Sequence, residues 1–183
     1  MASPSLPLPQ AAAAAAAILD AAPCVLDIEA SGFGRNSYPI EVGFVMPDGR
    51  AVCTLVRPAP HWTHWDDAAQ GLHGITREMA LLHGRSPRAV AELLNHELNG
   101  LTVYSDSWAH DYSWLATLFD AAELRPHFKL EHLRVLLDER QTQAFDTARA
   151  LARADLHVAR HRASNDARTL QLALLRLRSP QTH

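Results

Sequence analysis

The chain has 183 residues, 48% of them hydrophobic and 20% charged, with a net charge of −3 and a pI near 6.4. That length predicts one domain with one sizeable core, and the composition is that of an ordinary soluble globular protein. The slight acidity excludes a protein that coats nucleic acid by bulk positive charge.

Met1 to Gln10 is rich in Pro and Ser and reads as disordered, and Ala11 to Ala21 reads as a short helix or floppy leader. No Lys or Arg precedes Arg35, so the start lacks the basic region of a secretory signal, and its apolar stretch is too short to span a bilayer. The expectation is a cytoplasmic protein without membrane association: a leader over 1–22, one domain over 23–178 and a tail over 179–183. Cys24 and Cys53 lie in apolar, strand-like runs and are expected as core thiols of a reducing compartment.

The run from Cys24 to Ile28 predicts a short buried strand, broken by Asp27 and Glu29 two residues apart. Side chains alternate along a strand, so both carboxylates share a face. Like charges held that close in a core-bound strand repel and resist desolvation, and a divalent cation removes both objections. A solvated edge strand would show the same pattern. Ser31-Gly32 ends the strand and permits close backbone approach.

Pro39 to Val45 predicts a second strand, Pro47-Asp48-Gly49 a turn and Ala51 to Val56 a third strand, together an antiparallel meander. Pro58 to His73 reads as a loop of packing or stacking aromatics; its histidines match no zinc-finger spacing. Thr76 is placed to cap a helix through Leu82. Ser86-Pro87 starts the next helix, whose apolar face is Val90, Leu93, Leu94 and Leu98 and which ends at Asn99-Gly100. Leu101 to Ser105 follows as a fourth strand, His110 to Ala122 as a helix, Phe128 to Leu133 as a fifth strand and Arg134 to Arg153 as a helix. A final helix, beginning near Ala163 to Asn165 and running to about Arg178, carries the stripe Ala167, Leu170, Leu174 and Leu177. Early strands followed by alternating strands and helices predict an α/β domain with a mixed sheet.

Asp111 falls in the first turn of the helix after the fourth strand, where a ligand meets a sheet's end, and Asp106 at the strand's end rivals it. His161 and Asp166 would stand about 140° apart on a continuous helix, so they share a point in space only if His161 lies on the loop leading in. From Arg149 onward, seven arginines face two acids, a surplus that suits either a phosphate backbone or a solvated helix face.

In this order, Asp-x-Glu, then Asp after a strand, then His-x4-Asp on the last helix, the chain resembles the DEDDh 3′–5′ exonucleases of the ribonuclease H-like superfamily. That group includes the polymerase proofreading subunit, oligoribonuclease and RNase T. Ile40-Glu41-Val42-Gly43 and His73-Gly74-Ile75-Thr76 add to the likeness, which runs from Val25 to about Leu175. The second motif departs from it: Ser107 stands where the family has Asn, and His110 where it has Phe. Asp111-Tyr112-Ser113-Trp114-Leu115 fits the family's continuation and favours Asp111 over Asp106.

The resemblance implies a ribonuclease H-like five-stranded mixed sheet flanked by helices. It implies metal ligation by Asp27, Glu29, Asp111 and Asp166, and His161 as general base. It further implies two Mg²⁺ or Mn²⁺ ions and hydrolysis of single-stranded or 3′-ended DNA or RNA to nucleoside 5′-monophosphates. Ser31, Gly32, His73 and His110 fall at substrate-contacting positions, and a homodimer stays open. Two other readings compete: an inactive exonuclease-like domain that grips nucleic acid or a protein partner, and a metal phosphoesterase for small molecules.

Overall fold

The structure is a computed structural model and describes residues 22–157 and 161–178; the expectations for the leader up to residue 21 and for the tail lie outside them. Strands β1 (Cys24–Ala30), β2 (Pro39–Val45) and β3 (Ala51–Leu55) form the expected antiparallel meander. Strands β4 (Thr102–Ser105) and β5 (Lys129–His132) run parallel to β1 on its other side, giving the order β3-β2-β1-β4-β5. β1 is therefore the middle strand, bonded on both edges.

Period-two alternation along β1 and β2 divides the interior in two. Leu26 and Ile28, with Ile40, Val42 and Phe44, face helices α3 (Pro87–Glu97) and α4 (Trp108–Ala122), where Val90, Leu94, Leu115 and Leu118 complete one core. Val25 and Val45 face the other way, onto α5 (Glu139–Asp155) and α6 (Ala163–Arg178), with Phe145, Ala148, Leu170 and Leu174. Each fully buried Leu or Phe contributes roughly 1.5–3 kcal/mol to holding these layers. No helix among the described residues is long and apolar enough to cross a membrane.

Helix ends follow local chemistry. Ser86 accepts a hydrogen bond from Ala89 N (3.2 Å) ahead of α3, and Thr76 accepts from Met79 N (3.1 Å) ahead of α2 (Arg77–His83). The expected loop before His73 instead closes with a helix, α1 (Asp67–His73), capped by Asp66. The stretch expected as one helix from Arg134 is broken: a 3-10 turn, Leu133–Leu136, precedes α5, which starts at a capping box of Asp138 and Gln141. Cys24 is buried as expected, whereas Cys53 is exposed, on β3, which among the described residues pairs with a strand on one edge only.

Candidate active site

A cleft of about 240 Å³ opens where β1 and β4 end, and Asp27, Glu29, Asp111, His161 and Asp166 all line it. β1 turns back into β2 whereas its parallel neighbour β4 leads into α4, so the two chains part here, and a crevice at strand ends is where open sheets take ligands. Asp27 pairs across to Gly43 and Glu29 to Glu41, so all four residues lie on the face that α6 covers.

Gly43 brings α6 close. A Cβ there would come within 2.2 Å of Ser164 N and 2.4 Å of Ala163 C, so the first turn of α6 rests on bare strand backbone. One step along, the fully buried Glu41 holds the segment leading into α6. It accepts from Arg162 Nε at 2.9 and 3.0 Å, from Arg162 Nη2, and from Ala163 N at 2.9 Å. A carboxylate satisfied by a guanidinium fork and a backbone N–H is a strong anchor. That anchor leaves His161 off the helix, on the loop just before it. His161 Nδ1 then stands 3.2 Å from Asp166 Oδ2, although the two are far apart on a helical wheel.

Asp27, Glu29 and Asp166 each offer a carboxylate oxygen within 4.8 Å of the others, a spacing that suits one hard cation. Asp111, in the first turn of α4, lies outside that trio but lines the same cleft. Its Oδ2 accepts from Ser105 Oγ, while its Oδ1 is buried without a hydrogen-bond partner. A buried carboxylate oxygen left unpaired is costly unless a cation meets it, so the donor set fits metal binding.

The electrostatics agree. Burial, then the neighbouring Asp111, Glu29 and Asp166 charges, hold Asp27 well above the usual carboxylate range. Burial and the Asp166 and Glu41 charges push Glu29 up to about 7, against the pull of Arg162. Burial raises Asp111 to about 7, with Asp106 and Glu29 adding to it and the Ser105 hydroxyl opposing. Crowded carboxylates of this kind mark sites that take a cation or a proton.

Around this centre, Gly32 adopts φ +152°, and a Cβ would meet His64 Nε2 and Asp66 Cβ at 2.8 Å. Glycine is required there, and its backbone lines the cleft. Ser31 differs from the expectation of a substrate contact. It is buried, its Oγ accepts from Tyr38 N at 3.2 Å, and it supports the loop from behind. His73 is buried at the cleft wall and accepts from Ile75 N at 3.0 Å through Nδ1; burial lowers its pKa. His110 is exposed, stacks on Trp114 at 5.5 Å and meets Phe33 edge-on at 6.1 Å, making an aromatic side to the cleft. Asp106 also lines the cleft, paired with Arg149 at 2.9 Å.

Phe33, Trp114 and Arg149 escape a motif reading. The aromatic pair had one available signal, since His110 and Trp114 are four apart on a helix and must be neighbours.

The sequence matches no family model and no curated protein. Solved structures do match. A moderately thermophilic exonuclease I from Methylocaldum szegediense has a TM-score of 0.63 at 18% identity, covering 86% of this chain and 41% of its own. Exonuclease I of E. coli with a dA16 oligonucleotide gives 0.65 at 16%, over 82% and 39%. The zinc-bound form of the E. coli exonuclease I–ssDNA complex gives 0.62 at 15%, over 83% and 39%. This chain thus spans about two fifths of the length of these structures. The likeness is one of fold: a mixed five-stranded sheet flanked by helices.

Proposed function

We propose that this chain is a metal-dependent 3′–5′ exonuclease that releases nucleoside 5′-monophosphates from single-stranded or 3′-ended nucleic acid. The observation that carries the reading is the meeting of Asp27, Glu29 and Asp166, far apart in the sequence, with carboxylate oxygens within 4.8 Å of each other. Support comes from the unpaired buried oxygen of Asp111 in the same cleft and from the fold shared with exonuclease I structures, two of the three bound to single-stranded DNA or an oligonucleotide.

Asp27, Glu29 and Asp166 would hold one divalent cation, and Asp27 with Asp111 a second, Mg²⁺ or Mn²⁺ in each case. Bound there, the pair would polarise the phosphoryl oxygen and stabilise the attacking and leaving oxygens. His161 acts as general base. With its Nδ1–H donated to Asp166 Oδ2, the ring would take the proton of the attacking water at Nε2, which lies 3.5 Å from Arg153 Nη2. Glu41 and Arg162 hold the loop that presents this ring. Gly32 and His73 would flank the terminal nucleotide, and the Phe33–His110–Trp114 side offers an unpaired base a stacking surface.

The test is digestion of matched 5′-labelled DNA and RNA oligomers with Mn²⁺ or Mg²⁺. Stepwise shortening with release of 5′-monophosphates, lost on chelation and in Asp27→Ala, is the expected result. Binding of oligomers without any product would favour an inactive nucleic-acid-binding domain. Hydrolysis of small diesters with no preference for a polynucleotide end would favour a small-molecule phosphoesterase.

A further inference from the structure

The arginine surplus noted in the sequence sorts into separate duties in the structure. Arg162 is taken up by Glu41, and Arg176 pairs with Asp155. Arg149 and Arg153, four residues apart on α5, point the other way, toward the cleft. Arg149 lines it, the one Lys or Arg to do so among the described residues, and Arg153 touches two of its lining residues. Arg153 Nη1 is 3.7 Å from Asp166 Oδ1, and its Nη2 is 3.5 Å from His161 Nε2.

The cleft holds Asp27, Glu29, Asp106, Asp111 and Asp166 in a chain of net charge −3. Cations on the four ligand acids would offset most of this charge, and fixed positive charge at the rim adds to that attraction where phosphate enters. The two arginines are suited to that task. Their side chains are 40% and 34% exposed, and each guanidinium has N–H donors to spare beyond one hydrogen bond to Asp106 or two long contacts. Their carboxylate partners are the more buried halves, at 16% for Asp106 and 9% for Asp166, so both guanidiniums keep a solvent-facing side open to an incoming anion.

We propose that Arg149 and Arg153 form the anion-binding wall of the cleft and grip the phosphate oxygens of the terminal nucleotide. The inference rests on the nuclease reading above and extends it to a named phosphate contact. The same geometry has a second consequence. Arg153 shares Asp166 with any cation the carboxylate trio binds and repels that cation, so it weakens metal binding while strengthening nucleotide binding.

Calorimetric titration of the full chain with Mn²⁺, then with a nucleoside 5′-monophosphate or the matching unphosphorylated nucleoside, separates these effects. Arg149→Gln and Arg153→Gln should each weaken binding of the monophosphate about tenfold, with nucleoside binding unchanged. Arg153→Gln should also tighten Mn²⁺ about threefold, whereas Arg153→Lys, which keeps the charge and loses the fork, should leave Mn²⁺ unchanged and still weaken the monophosphate. Equal losses for nucleoside and monophosphate, or weaker Mn²⁺ binding in Arg153→Gln, would make the arginines mere supports of the site and overturn the proposal. Variants that bind the monophosphate like the wild type would overturn it alone. A wild type that binds neither Mn²⁺ nor monophosphate would overturn both it and the nuclease reading.

Discussion

Glu29 and Glu41 are cross-strand partners on the same face of the same sheet, yet their surroundings are opposite. Glu41 is fully buried and accepts hydrogen bonds from Arg162 and from Ala163 N. Glu29 faces Asp166 and Asp27, and burial with the Asp166 charge pushes it up to about 7. The first carboxylate has its charge settled within the fold; the second is left for something outside it. That difference, more than burial or charge alone, separates a structural acid from a ligand-binding one.

The sharpest way to break the comparison is to remove one acid from each side. Asp27→Ala should abolish metal-dependent cleavage, by more than the roughly 10–100-fold that losing a supporting group costs a metal site. Without metal, the same change should raise the melting temperature at neutral pH, since it removes one of several crowded, buried carboxylates. Glu41→Ala should do the reverse to stability, costing ~3 kcal/mol in urea unfolding by leaving the Arg162 charge without its buried partner.

A smaller effect tests the electrostatics directly. Glu29 and Asp111 are raised to about 7, so between about pH 4 and about pH 7 the folded chain holds protons that the unfolded chain has released. Stability should therefore fall as pH rises through that window, by on the order of 1–3 kcal/mol between about pH 5.5 and about pH 8. Mn²⁺ should flatten the slope, because a bound cation favours the ionised carboxylates, and chelation should restore it. An unchanged slope with Mn²⁺ would count against metal binding by these acids. The smallest effect serves as the control. The exposed pair of Arg88 and Glu92 should change stability by less than about 0.5 kcal/mol when Glu92 is replaced by Ala.

What could be read in advance follows from distance along the chain. Asp27 and Glu29 share a face because strand alternation is local, and α6 was legible from one stripe of small and branched apolar residues. The mixed sheet followed from the order of elements. Short elements were harder: α1 spans seven residues and includes Gly71, with only the Asp66 cap to announce it. The break before α5 lay in the Asp138–Gln141 capping box, inside an otherwise helix-forming stretch. Other features needed the third dimension. Nothing near Asp106 in sequence reveals that Arg149 claims it, and an apolar run does not disclose that the strand carrying Cys53 is an outer one. Ser31 is expected against a ligand, and its hydrogen bond with Tyr38, seven residues on, is a contact that no local pattern announces.

Gly43, opposite Asp27, has one further implication. Because the α6 segment carrying Ala163 and Ser164 lies directly on the strand's main chain there, no rotamer change intervenes between the helix and the sheet. The main chains that carry Asp27 and Asp166 are thus held at a fixed separation, and only the two short side chains would be left to adjust to an ion's size.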